Sequence, residues 1–301
     1  MPQMGEPLPR VWVTGAGGLL GRYLVETAPQ YVPDWRVLGL TRAMVDLTDH
    51  AAVRRLWDQA PPTLVIHCAA ISKAVACEAD PARTRAVNVE ATAHLAELAS
   101  PQRLIFLSTD HVFDGRRGGY HESDPVSPLT VYGRSKVEAE RLVLAHPSHT
   151  VLRTSLNAGQ SPTGDRSFVE ETLHAWKRGA SLRLFTDEFR CPIPAAATAR
   201  AIWEVAAKRL TGLYHVAGRE RLSRWEIGQL LAAEYAELAP RYEAGSLRDY
   251  AGPPRAPDLS LDCRALQAQL SFPLPGFRSW LAAHPRRGRD EWWDPLAAER
   301  T

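Results

Sequence analysis

The sequence predicts an α/β fold, a doubly wound parallel sheet joined to a smaller, mostly C-terminal lobe. Short apolar or β-branched runs alternate with longer helical patterns through the first half of the chain, a glycine-rich turn stands at their first junction, and the alternation loosens after Arg153. Arg10–Thr14, Arg36–Leu40, Thr63–Cys68, Leu104–Ser108 and Thr150–Arg153 read as strands, and Leu19–Ala28, His50–Ala60, Pro81–Ala99 and Gly133–Ala145 as helices. Strands separated by helices of this length need crossover connections, which makes neighbours parallel and covers both sheet faces with helices. Gly and Pro then punctuate Gly159–Gly164 and Gly252–Pro257. The expected division gives residues 1–155, with approximately 181–217, to the sheet domain, and approximately 156–180 and 218–301 to the smaller lobe.

Composition narrows the function. A chain of 301 residues can bury a sizeable core, and its formal charge of +2 is spread without basic blocks, which argues against nucleic acid as a partner. Cys68, Cys77, Cys191 and Cys263 form no CxxC pair and suit buried thiols in a reducing compartment. No apolar run reaches the roughly 18 residues of a membrane helix, and Met1–Arg10 lacks an apolar signal core, so no membrane partner and a cytoplasmic location are expected. The tail from Pro285, with Arg286, Arg287, Arg289, Trp292 and Trp293, reads as a solvated or packed-down terminus. No metal-ligand spacing involves His111 or His121, and no carboxylate cluster stands out, so no metal is expected.

The first candidate strand runs into Thr14-Gly15-Ala16-Gly17-Gly18-Leu19-Leu20-Gly21, a GxxGxxG pattern opening a helix. Gly15 permits the tight turn, Gly18 lets backbone N–H groups approach a pyrophosphate, and Gly21 lets helix and strand pack closely; the positive helix end then faces the phosphates. This makes the sheet Rossmann-type. Gly15, Gly18, Leu19, Leu20 and Gly21 are the candidate phosphate loop. After the second strand the usual ribose-binding acid is replaced by Thr41-Arg42, and an arginine there can pair with a 2′-phosphate, favouring NADP(H) with NAD(H) as the alternative. Asp46 and Leu47 follow as candidates for the adenine edge, Asp46 being equally placed for a helix cap. Ala69 and Ala70, after Cys68, are small where a backbone must lie against the cofactor.

The fourth strand ends in Ser108-Thr109-Asp110, and Tyr132-Gly133-Arg134-Ser135-Lys136 follows. Tyr132 and Lys136 at i and i+4 share a helix face, so an ammonium can sit beside a phenol and favour its phenolate. In a carbonyl reduction Tyr132 gives its proton to the oxygen while a nicotinamide delivers hydride to the carbon, Thr109 orients that oxygen, and Lys136 holds the nicotinamide ribose. With eight Tyr and four Lys in the chain, a chance YxxxK is expected about 0.1 times. Ser108 is counted with the cofactor residues.

These motifs resemble the extended short-chain dehydrogenases and, among them, the dTDP-4-dehydrorhamnose reductase group. The resemblance rests on TGAGGLLG, STDHVFDG (Ser108–Gly115), SPLTVYGRSK (Ser127–Lys136), VLRTS from Val151, TDEFRCPI from Thr186 and RAPDLSLDCRAL (Arg255–Leu266), and covers nearly the whole chain. It implies NADPH-dependent reduction of a nucleotide-linked 4-keto-6-deoxy sugar, as in dTDP-rhamnose biosynthesis, with Thr109, Tyr132 and Lys136 as the triad. It also implies Asp110, His111 and Asn157 as substrate-facing residues. His111 replaces the family's usual Tyr, Leu156 its aromatic, and Val75 its Asp. A homodimer is left open.

The stretches Ile66-His67-Cys68-Ala69-Ala70 and TGAGGLLG also resemble the regulatory β subunit of methionine adenosyltransferase, which implies NADP(H) binding without turnover. A third reading is a nucleotide-sugar epimerase. Dehydratases of this superfamily carry Asp-Glu after the catalytic Thr, whereas Asp110-His111 stands here, so elimination is poorly supported.

Overall fold

The computed structural model describes residues 8–284; the expectations for Met1–Pro7 of the N-terminal segment and for the tail from Pro285 lie outside them. Through the first half the chain forms β1 (Arg10–Thr14), α1 (Leu19–Tyr31), β2 (Arg36–Leu40), α2 (His50–Gln59), β3 (Leu64–His67), α3 (Ala74–Ala79), α4 (Pro81–Arg85), α5 (Ala91–Leu98), β4 (Arg103–Thr109), α6 (Val131–Leu144) and β5 (Thr150–Thr154). Then follow β6 (Asn157–Ala158), α7 (Phe168–Lys177), β7 (Ser181–Phe185), β8 (Phe189–Arg190), β9 (Ile193–Pro194), α8 (Ala195–Ala207), β10 (Gly212–Val216), β11 (Leu222–Ser223), α9 (Arg224–Glu234), β12 (Arg241–Gly245), α10 (Arg264–Gln267) and α11 (Phe277–Ala283).

Six strands form one parallel sheet in the order β10-β5-β4-β3-β1-β2. Alternation along each strand divides the core. Val11, Val13, Ile66, Ile105, Leu107 and Leu152 pack against α1 and α8, while Trp12, Val65, Leu104, Phe106 and Val151 pack with residues of α2, α5 and α6 on the other face. Both faces are therefore apolar, as a doubly wound parallel sheet requires. A separate apolar cluster joins α7, α9 and α11 through Val169, Leu173, Trp176, Ile227, Leu231, Phe277 and Leu281. β7 pairs in parallel with β12 beside it.

Two helices depart from the expected pattern. α1 runs past Ala28 to Tyr31 with Pro29 in its last turn, at the cost of the one helical hydrogen bond that an N–H there would give the Val25 carbonyl. The single helix expected over Pro81–Ala99 is broken in three: Asp80 caps α4 by accepting from the Arg83 N–H, and a π-helical turn spans Ala86–Glu90 before α5. Its cause is Asn88, whose amide oxygen accepts from the Ile71 N–H (2.8 Å) and whose Nδ2 donates to the Ile71 carbonyl (3.0 Å) and to Ser135 Oγ (3.1 Å). A side chain drawn into long-range bonds opens the local helical ladder, as π turns do near functional sites.

Among the described residues no helix is long and apolar enough to cross a membrane.

Candidate active site

The glycine loop has the shape a phosphate requires. Gly15 lies at φ +70°, and a Cβ there would stand 2.8 Å from the Ala69 nitrogen; one on Gly21 would stand 2.2 Å from the Gly15 carbonyl oxygen. Gly18 N–H donates to Gly15 O at 2.8 Å, closing the turn. Gly18 also precedes α1 without offering any side-chain cap. Gly18 thus offers the first N–H groups of α1 no side-chain acceptor, and at positions 15 and 21 the loop has room only for glycine: the residues fit a dinucleotide's pyrophosphate. The base of the loop is held by Thr14, whose hydroxyl is bonded to His67 Nδ1 at 2.7 Å, with the other ring nitrogen 2.9 Å from Thr92 Oγ1. Burial pulls His67 down to about 3, so it bridges β1 and α5 as a neutral ring.

The loop opens into a cleft of about 320 Å³ that also receives Thr109, Tyr132 and Lys136. Thr109 ends β4. Thr130 caps α6 by accepting from the Gly133 N–H, which starts the helix at Val131 and puts Tyr132 in its first turn and Lys136 in the next. The Tyr132 phenol is hydrogen-bonded to Thr109. Thr109 Oγ1 also donates to Asp110 Oδ1 (3.2 Å) and accepts from the His111 N–H (3.2 Å). Lys136 is buried; it donates to the Leu107 carbonyl at 2.6 Å and lies 3.8 Å from the Phe106 ring centroid. Burial lowers its ammonium to about 7 against the opposing pull of Glu140. The Tyr132 phenol is pushed above its usual range by burial. This corrects the expectation that Lys136 lowers it: the ammonium is turned to Leu107 and Phe106, and burial dominates the phenol.

Beyond the triad lies a buried charge network. Asp110 accepts from Ser155 Oγ at 2.7 Å and lies 4.0 Å from Arg190 Nε. Glu188, wholly buried, meets Arg190 (3.1 Å), Arg224 (3.2 Å) and Arg255 (2.7 Å). Burial alone would raise its carboxyl, but the three guanidinium charges outweigh it and hold it at about 2. His111 stacks edge-on to Tyr132 with ring centroids 5.8 Å apart, and desolvation in the cleft lowers it to about 4, so the ring is neutral at pH 7.

Across residues 9–287 the chain matches the family described as the RmlD substrate binding domain. It belongs to that family. Among curated proteins it is 33% identical to methionine adenosyltransferase 2 subunit beta of Danio rerio, over 94% of each chain. It is 31% identical to dTDP-4-dehydrorhamnose reductase of Aggregatibacter actinomycetemcomitans, over 80% of this chain and 86% of that one. The crystal structure of dTDP-4-dehydrorhamnose reductase from Bacillus anthracis in complex with NADP superposes with a TM-score of 0.84 at 24% identity, covering 92% of this chain and 98% of that one. Both resemblances read from the motifs are met, and so is the fold.

Within this member of the RmlD family, Gly15, Gly18, Leu19, Leu20, Gly21, Ala70, Ser108, Thr109, Asp110, His111, Tyr132, Lys136 and Asn157 come together in the one cleft. Two of them have their side chains committed elsewhere. Ser108 donates its hydroxyl to Glu140, itself paired with Arg153 at 2.7 Å. The Asn157 amide donates to Thr154 Oγ1 (3.0 Å) and the Ser155 carbonyl (3.1 Å) and accepts from Thr198 (2.6 Å). Arg42, Asp46, Leu47 and Ala69 are not among the residues lining the cleft. Ala69 backs the glycine turn, its N–H donating to Thr14 Oγ1 at 3.3 Å. Arg42 is exposed and pairs with Asp46 at 3.5 Å, just beyond the point where Leu40 O accepts from the Ala16 N–H and ties β2 to the loop. Asp46 accepts from both Thr48 groups, and the cap of α2 is Asp49, not Asp46.

Sequence reasoning missed Asn88, Ser155, Arg166 and Phe168. Two of these carried a signal: Ser155 closes the VLRTS motif, and Asn88 is a polar residue in mid-helix with a threonine four positions on.

Proposed function

We propose that this chain uses NADPH to reduce the 4-keto group of a nucleotide-activated 4-keto-6-deoxy sugar, as a dTDP-4-dehydrorhamnose reductase does. The observation that carries the reading is the convergence of Thr109, Tyr132 and Lys136 with the glycine loop in one cleft. When bound, the nicotinamide supplies a hydride to the carbonyl carbon. Tyr132 donates its phenolic proton to the carbonyl oxygen, and its raised pKa keeps that proton in place at neutral pH. Thr109 hydrogen-bonds the same oxygen and fixes its position. Lys136 holds the nicotinamide ribose, and Gly15, Gly18, Leu19, Leu20 and Gly21 hold the pyrophosphate, with Arg42 outside the cleft for a 2′-phosphate. The lobe built on α7, α9 and α11 selects the sugar.

A second reading, an NADP(H)-binding regulatory subunit without turnover, draws support from the likeness to methionine adenosyltransferase 2 subunit beta. NADPH oxidation, followed at the nicotinamide absorbance with a panel of nucleotide-linked 4-keto-6-deoxy sugars, separates the two. Oxidation that needs both a sugar and Tyr132, absent in Tyr132→Phe, is the result expected of a reductase. Tight NADPH binding with no oxidation across the panel would replace it with the regulatory reading.

A further inference from the structure

The loop joining β6 to α7 is fixed with unusual care for a surface connection. Glu170 is wholly buried, and its carboxylate accepts from Ser161 N (2.6 Å), Ser161 Oγ (2.9 Å), Arg166 N (2.8 Å) and Ser167 N (2.9 Å). The bond to Ser167 N is half of an ordinary capping box for α7. The bonds to Ser161 and Arg166 go beyond it and clamp the whole loop. Its other end is held on α1, where Arg22 donates to the Gln160 carbonyl (3.0 Å) and the Gln160 N–H to the Tyr23 hydroxyl (3.2 Å). The clamped loop sends Arg166, Ser167 and Phe168 into the cleft.

Arg166 matters because of what else lines that cleft. Tyr132 and Lys136 belong to the reacting group, Asp110 is engaged by Ser155 and Arg190, His111 is neutral, and burial pushes the Cys68 thiol up to about 12. Among the described lining residues, Arg166 is the remaining permanent charge. About half its side chain is exposed, and its Nε meets Thr163 Oγ1 (3.3 Å) and Asp165 Oδ1 (3.1 Å). A nucleotide sugar brings a diphosphate into the cleft, and the cofactor's own pyrophosphate is already matched by the glycine loop and α1.

We propose that Arg166, carried on the loop that Glu170 clamps, receives the diphosphate of the nucleotide-sugar substrate. This rests on the reading of the chain as a nucleotide-sugar protein. Guanidinium-phosphate pairing is charge-assisted and geometrically specific. The loss of Arg166 therefore weakens substrate binding without touching the reacting atoms.

The test is calorimetric titration of dTDP, UDP and, separately, NADPH into wild-type protein, Arg166→Ala and Arg166→Lys, with steady-state kinetics on the sugar that wild type reduces. Arg166→Ala is expected to weaken nucleoside diphosphate binding and raise KM by roughly tenfold or more, with kcat changed less than about twofold and NADPH affinity unchanged, and Arg166→Lys is expected to recover part of the loss. Unchanged diphosphate binding in Arg166→Ala, with wild type active, would overturn the role of Arg166 and leave the reductase reading standing. A matching loss of NADPH affinity would move Arg166 to the cofactor and overturn it as well. A wild-type protein that binds neither nucleoside diphosphate and reduces no sugar would remove the nucleotide-sugar reading, and this proposal with it.

Discussion

Lys136 donates its ammonium to the carbonyl oxygen of Leu107 at 2.6 Å, from inside the protein. A buried cation held by one carbonyl and the Phe106 ring is expensive to desolvate. Lys136→Met, similar in volume and uncharged, is therefore expected to melt at the same temperature as wild type or higher while losing at least about a hundredfold in kcat/KM. Thermal melts beside kinetics check it. A variant that loses both stability and activity would make Lys136 a structural residue.

Gly21→Ala is expected to lose NADPH binding, since its Cβ would fall 2.2 Å from the Gly15 carbonyl oxygen, and backbone cannot move aside as a flexible side chain can. Titration of NADPH by fluorescence measures this directly, and wild-type affinity in Gly21→Ala would show that the turn has slack.

Arg42→Asp is expected to shift cofactor preference from NADPH toward NADH. Arg42 follows β2 where that strand meets the glycine loop, and its guanidinium is exposed and paired with Asp46. A carboxylate repels a 2′-phosphate and can accept from a 2′-hydroxyl. The ratio of kcat/KM for the two cofactors is the measurement, and an unchanged ratio would detach Arg42 from the cofactor.

The Glu188 network predicts an acid-sensitive stability. Its folded carboxyl titrates at about 2, below the ordinary 4.5, so the ionised form stabilises the fold at every pH above 4.5. That contribution is lost as pH falls from 4.5 through 2. Glu188→Gln leaves three guanidinium groups without their shared carboxylate, and is expected to be less stable at pH 7 by roughly 3–5 kcal/mol. Its denaturation midpoint is also expected to depend less on pH between 4.5 and 2. Parallel urea titrations at several pH values measure both, and equal slopes for the two proteins would contradict the network's role.

What the sequence made legible follows from range. β1 and β2 are short apolar runs set off from the helical patterns around them and appear with the bounds read from the chain, and Tyr132 and Lys136 share a face because four residues make about one helical turn. The break in Pro81–Ala99 comes from Asn88 reaching Ile71, seventeen positions away, which no local pattern records. Glu188 meets Arg224 and Arg255 because β8 pairs with β11 and Phe189 bridges to Asp258. Convergence of that kind belongs to tertiary pairing. Arg166 was invisible for the same reason, as one arginine among many until Glu170 is seen to hold its loop.

The place of β10 at the sheet edge beside β5 bears on the order in which the protein can be made. Translation delivers β5 some sixty residues before β10, so a nascent chain that has emerged only through β5 displays an unpaired, apolar strand edge of the kind that recruits other chains. During synthesis the segments between them must leave the ribosome before that edge is sealed. A fragment ending after β5, though it contains the glycine loop, Thr109, Tyr132 and Lys136, is therefore expected to aggregate, whereas one extended through Val216 carries its own protecting strand.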